Sequence, residues 1–220
     1  MKILAINMAR AIWLFPTVLL NPRGRNILAS MEAFAARYKF AKVPEPKSFV
    51  ERPTKLVFEG GSFIGSNGEP ITVGFTIHDD GIIGDTRAST GEADAFLHDA
   101  LSWFSAENQL PSYSDFSVKK LYSSEICVHL EKPLTIFNKK FSSFTNRLKS
   151  GISNNPGVPL ELVQLTFSPD RSSTNTKTVV PFKLERMVEA SFSDNQFYSY
   201  APVPTDEHLE LLSAFEEAAS

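Results

Sequence analysis

Between residues 71 and 78 apolar and polar side chains alternate strictly: Ile71, Val73, Phe75 and Ile77 interleave with Thr72, Gly74, Thr76 and His78. A period of two predicts a half-buried strand. A β-rich run at 55–64 precedes it. Asp79-Asp80-Gly81, a hairpin turn signal, leads to another strand at 81–89. The period then becomes helical. Phe96, Leu97, Ala100, Leu101 and Phe104 fall on one face of a helix over 91–106, with Trp103 at its margin. Ser89 with Glu92 three residues later predicts a capping box at its start.

The same order returns later in the chain. Strands are expected at 160–168, 178–188 and 191–203, then a helix at 204–218 capped by Thr205, with Asp206 and Glu207 in its first turn. Element order and spacing repeat, while residue identity between the copies is slight. The expected fold class is therefore α+β: two pseudo-repeated β-β-β-α units with four helices packed on a mainly antiparallel sheet.

The remaining segments complete this plan. Residues 1–20 are β-rich, as one strand or two, and Pro16 argues for an edge position or a bulge. Pro181 does the same for the strand at 178–188. Asn26 can cap a helix carrying Ile27, Leu28, Met31, Phe34, Ala35 and Tyr38. A strand at 118–131 is followed by a helix at 133–150 with the stripe Phe137, Phe141, Phe144 and Leu148. Residues 153–159 make the best boundary. It separates 1–152, which holds the N-terminal segment, the first unit and the connecting strand and helix, from the second unit at 160–220. Both are expected to pack as one body.

Composition adds two points. There are 18 Phe against 5 Tyr and 2 Trp. Phe buries a large area with no polar atom to satisfy, so the surplus reads as core filling or as an apolar interface. Charged residues make up 21 % and the net charge is −3, which favours no polyanionic partner as a whole. Locally, 132–149 holds Lys132, Lys139, Lys140, Arg147 and Lys149 and no acid, while 205–220 holds five acids and no Lys or Arg. Cys127 is the single cysteine, so no internal disulfide exists and a reducing, cytoplasmic compartment is expected. The apolar stretch 11–20 is too short to span a bilayer and is flanked wrongly for a secretory signal. No membrane association is expected.

Chemistry is sparsely signalled. Phosphate-loop, dinucleotide, nucleophile-elbow and zinc-protease motifs are missing, and a cysteine-type zinc site needs more than one thiol. No cofactor or metal is expected. Gly60-Gly61 reads as a bulge or bend. The most enzyme-like set lies on 118–131, where Glu125, Cys127, His129 and Glu131 share one strand face. Were that strand beside the one ending in His78, then His78, Asp80, Glu125, His129 and Glu131 would suit a hydrolase or nuclease-like site around a metal or polar substrate. The plainer reading is the polar face of an open sheet. His98, His208, Asp94 and Asp99 read as solvated surface groups. Lys139, Lys140, Arg147 and Lys149 offer a nucleic-acid surface, but no aromatic alternates with them to stack bases.

These readings favour a non-enzymatic interaction or assembly protein with a protein partner or a second copy of itself. The alternatives are the hydrolase or nuclease-like enzyme and nucleic-acid binding through the basic helix.

Overall fold

β-Branched and aromatic runs make the strands of this chain, and turn residues end them. The computed structural model describes residues 1–24, 28–45, 55–134, 144–145, 147–148, 160–169 and 180–218. In chain order the strands are β1 (Lys2–Leu14), β2 (Lys55–Ile64), β3 (Pro70–His78), β4 (Gly81–Thr86), β5 (Lys119–His129), β6 (Gln164–Phe167), β7 (Phe182–Arg186) and β8 (Gln196–Ala201). The helices are α1 (Leu28–Arg37), α2 (Thr90–Asn108) and the last, here α3 (Thr205–Ala218).

The fold is α+β, an open eight-stranded sheet in the order β2-β3-β4-β1-β5-β8-β7-β6. The β2–β3, β3–β4, β1–β4, β6–β7 and β7–β8 pairings are antiparallel. Three helices, not four, are found among the described residues. The expected helix at 133–150 falls mostly outside them, although Phe144, Thr145, Arg147 and Leu148 are helical. Asn26, the expected cap of α1, also lies outside. Neither proline marks an edge. β1 lies between β4 and β5, and β7 between β8 and β6. Pro16 follows β1 and Pro181 precedes β7, so neither removes an amide from a ladder. Residues Thr17–Leu20, expected to continue a strand, form a 3₁₀ turn.

The chain divides into two compact units. One comprises Met8–Ser124 with Val203–Thr205. The other comprises Met1–Asn7, Glu125–Pro202 and Asp206–Ser220.

In the first unit, strand register builds the core row by row. Phe58, Phe75, Gly84 and Ala11 are cross-strand neighbours, as are Leu56, Ile77, Ile82 and Trp13. The buried stripe of α2 (Phe96, Leu97, Ala100, Leu101 and Phe104) packs into the same cluster, together with Met31 and Phe34 of α1. Phe34 is the aromatic hub, with ring centroids 5.0–6.0 Å from Tyr38, Phe40, Phe58, Phe75 and Trp103. Each such ring, once buried, contributes ~1.5–3 kcal/mol. The Phe surplus here fills a core.

Gly60-Gly61 does mark a bulge: the β2–β3 register shifts between Phe58 and Gly61. Gly60 has φ +68°, which favours glycine, and a Cβ on Gly61 would stand 2.5 Å from the Phe40 ring. The capping box at α2 is half formed. Ser89 Oγ accepts from Glu92 N at 3.1 Å, but the Glu92 carboxylate turns to Ser66, accepting from its amide at 3.0 Å and from its hydroxyl. Asp94 and Asp99 are not idle surface charges. Asp94 accepts from Trp13 Nε1 at 2.7 Å, Lys120 Nζ at 2.8 Å and Tyr122 OH at 3.2 Å. Asp99 accepts from Tyr38 OH and from Arg37.

In the second unit Ile126 and Val128 of β5 and Leu130 just beyond it pack with Leu134, Leu184, Phe197 and Leu212. Arg186 is buried beside them. Its guanidinium donates to Phe192 O at 3.0 Å, to Glu161 at 2.9 Å and to Asn195 at 3.3 Å, and lies over the rings of Phe192 and Phe197. Burial depresses its pKa. Among the described residues no helix is long and apolar enough to cross a membrane.

Candidate functional site

The residues singled out from the sequence are divided between the units. His78 is the last residue of β3, half-buried, in a cross-strand row with Lys55 and Gly81. Asp80 is exposed in the following turn, and its carbonyl accepts from Phe15 N at 3.0 Å. Both belong to the first unit. Glu125, Cys127 and His129 lie on β5, with Glu131 exposed just beyond, all in the second unit.

The strand alternation holds only in part, because Cys127, expected on the polar face with Glu125 and His129, is buried. Ile126 and Val128 are fully buried, while Glu125 and His129 are half-exposed. Asn7 Nδ2 donates to Glu125 Oε1 at 3.0 Å. Burial raises the Cys127 pKa, Glu125 pushes it the same way, and a hydrogen bond with Asn7 opposes them. A thiol held protonated in this way is a poor nucleophile. Among the described residues no group of three or more His, Cys, Asp or Glu could hold a metal ion. Lys139, Lys140 and Lys149 lie outside the described residues, and Arg147 is exposed on a helical turn.

A cavity in the first unit escaped the sequence reading. Pro16 ends β1, and the chain folds into the Thr17–Leu20 turn. Thr17 fastens this turn to the β3–β4 hairpin. Its amide donates to Asp79 O at 3.0 Å, and its hydroxyl donates to His78 O at 2.9 Å and Asp79 O at 3.1 Å. Beneath the turn is a pocket of about 540 Å³. Met31 and Phe34 of α1, Phe75 and Ile77 of β3, Ile82 of β4, and Ala100, Leu101 and Phe104 of α2 line it. Thr17, Val18, Asn21, His78 and Asp79 also contribute to its wall.

Three local features make this space. The turn spans the hairpin instead of extending β1. Ala100 presents a methyl group where its neighbours on α2 present Leu and Phe. Val18, one of the lining residues, is 67 % exposed. The Asp79 carboxylate is exposed and makes no hydrogen bond or ion pair with a described residue. A smaller cavity of about 360 Å³, lined by Pro22, Arg23, Gln109, Leu110 and Pro111, shares Pro22 with the first. No sequence period reports either space, because both arise where a non-repetitive turn crosses the ends of regular elements.

His208 corrects a second expectation. It is fully buried, not solvated. Its Nε2 lies 2.8 Å from Ser199 Oγ, and its ring meets Phe182 edge-on at 6.1 Å. Burial lowers its pKa to about 4. Ser and His at this distance resemble a nucleophile and its base. Both side chains are shut off from solvent, so the pair ties α3 to β8 within the core.

The first-unit pocket thus reaches from the Thr17–Leu20 turn to buried core side chains. The chain matches no protein-family model and is similar to no curated protein with which it was compared.

Proposed function

We propose that this is a non-enzymatic interaction protein, which acts by holding an apolar group in the pocket under the Thr17–Leu20 turn. The observation that carries this reading is the pocket itself: about 540 Å³, floored by core side chains, with Val18 exposed at its side. Apolar walls in contact with water gain free energy when an apolar group covers them. Concave sites of roughly 300–1,000 Å³ are the usual form of a binding pocket.

Thermal unfolding tests the reading with 2-naphthylmethanol, an uncharged apolar probe. Binding to the folded state alone stabilises it by about 2.7 kcal/mol at a concentration one hundred times Kd. The melting temperature should therefore rise with probe concentration, and Ala100→Leu, which fills the pocket, should blunt the rise. A flat titration would sink the proposal.

The internal duplication is a companion proposal. What supports it is the shared order: three strands and a helix as β2-β3-β4-α2, and again as β6-β7-β8-α3, with consecutive strands antiparallel where paired. Superposing the two sets of backbones tests it, and strands that cannot be aligned in register would end it. Self-association, the partner expected from the sequence, has its best support at β6. That strand ends the sheet, and Phe167 and Val163 beside it are 59 % and 49 % exposed. Sedimentation of the native chain against Phe167→Lys tests this, a monomer at all concentrations being the contrary result.

A further inference from the structure

We infer that the pocket takes a small amphiphile, an aromatic or branched apolar body bearing a cationic or hydrogen-bond-donating head that meets Asp79. The inference rests on the pocket being the binding site, and it adds the chemistry of the occupant.

The walls determine the body. Phe34, Phe75 and Phe104 supply aromatic faces, and Ile82 and Leu101 supply branched aliphatic ones. Phe34, Phe75 and Ile82 are almost completely buried, so the space reaches the core of the unit. An occupant that deep is largely withdrawn from water, as small ligands are in pockets of this size. Polar atoms on that part of it would lose hydrogen bonds to water and find no replacement.

The polar wall determines the head. The Thr17 hydroxyl proton is already given to the His78 and Asp79 carbonyls. Asn21 and His78 also line this wall and can donate as well as accept, and the one acidic residue in the lining is Asp79. Asp79 is one of the lining residues and is exposed, and the bonds it makes to the turn go through its backbone carbonyl, which leaves the carboxylate to a ligand. Asp80, next to it, is also exposed. A carboxylate head would meet like charge, whereas an ammonium or hydroxyl would find an acceptor.

The test titrates the whole protein by calorimetry with 2-naphthylmethylamine, 2-naphthylmethanol and 2-naphthoate, at a pH where the amine is cationic and the acid ionised. The amine should bind with a stoichiometry of one and about five- to tenfold more tightly than the acid, as expected for a charged hydrogen bond replacing like-charge contact. Asp79→Asn, an exposed change that leaves the core intact, should remove most of that gap, and the alcohol, which keeps the amide oxygen as an acceptor, should weaken by much less than the amine. Ala100→Leu should weaken all three. If the alcohol binds but amine and acid bind equally, or if Asp79→Asn leaves the gap intact, the head assignment is overturned while the pocket reading stands. If none of the three binds, the pocket reading falls and takes this inference with it.

Discussion

Thr90 and Thr205 hydrogen-bond to each other twice. The Thr90 amide donates to Thr205 Oγ1 at 2.9 Å, and the Thr205 amide donates to Thr90 Oγ1 at 2.8 Å. Each is the first residue of a helix, α2 or α3, and both are almost fully buried. First-turn amides have no partner inside their own helix. Here each threonine hydroxyl supplies the acceptor that the other helix start lacks, so Thr205, expected to cap its own helix, is the first residue of that helix and accepts from Thr90. Two positions that correspond in the proposed duplication thus make the same bond in both directions.

Removing either hydroxyl orphans the opposite amide in a buried site. Thr90→Val and Thr205→Val should each lower unfolding free energy by about 1–3 kcal/mol, the cost of an unsatisfied buried donor. Thr→Ser at either position keeps the acceptor and should recover most of the loss. Urea unfolding at neutral pH reads both effects, and a valine variant as stable as its serine counterpart would contradict the account.

His208 makes stability depend on pH. Its folded-state pKa of about 4 lies below the ordinary histidine value of 6.5, because burial disfavours the cation. The unfolded chain therefore binds the proton first as pH falls. The contribution is complete above pH 6.5, declines between 6.5 and 4, and is exhausted below. At pH 4.5 the loss attributable to this group is about 2.5 kcal/mol, each pKa unit being worth about 1.4 kcal/mol. His208→Gln does not titrate. Its stability should fall by that much less than the parent's between pH 7.5 and 4.5, and parallel curves would count against burial of a neutral ring.

Asp94 separates a hydrogen bond from an ion pair. It accepts from the buried Trp13 indole and pairs with Lys120, whose ammonium lies 4.2 Å from the centre of the Trp13 ring. Asp94→Asn keeps an acceptor for the indole and loses only a partly exposed ion pair, so the cost should be about 1 kcal/mol or less. Asp94→Ala leaves the indole N–H unsatisfied and should cost about 1–3 kcal/mol. Chemical unfolding of the two variants decides the matter, since equal losses would mean that the ion pair carries the effect.

What could be read in advance follows from the range of each interaction. β3 and α2 were legible because their apolar positions repeat within the element, and the Gly60-Gly61 bulge because two adjacent glycines interrupt a β-rich run. The Asp79-Asp80 turn was legible too, since His78 pairs with Gly81 across it. Asp94 was not, because its value depends on Trp13 and Lys120, which strand order brings to one helix face. His208 looked like a surface group because it stands among acids near a helix start, yet Ser199 and Phe182 on two strands enclose it. The pocket had no local signal at all. It depends on a turn after Pro16 crossing the far ends of β3 and β4, and on Ala100 facing it from α2.

Arg186 offers the sharpest contrast between removing one partner and replacing both. The guanidinium is enclosed by Phe192 and Phe197, and among the described residues its Nε has no hydrogen-bond partner and its one ion pair is with Glu161, itself about a quarter exposed. Desolvation of this cation opposes folding, and Glu161 offsets part of it. Glu161→Leu leaves the charge buried with only carbonyl and amide acceptors, and should cost about 3–5 kcal/mol. Arg186→Met replaces the cation with a flexible apolar chain of similar length. It forfeits the bonds to Phe192 O and Asn195 but also ends the desolvation cost, so its effect should be smaller. Together the two changes should be less damaging than Glu161→Leu alone, a sign of coupling that a double-mutant cycle in urea measures directly. Strict additivity would mean that the pair does not interact as its 2.9 Å separation implies.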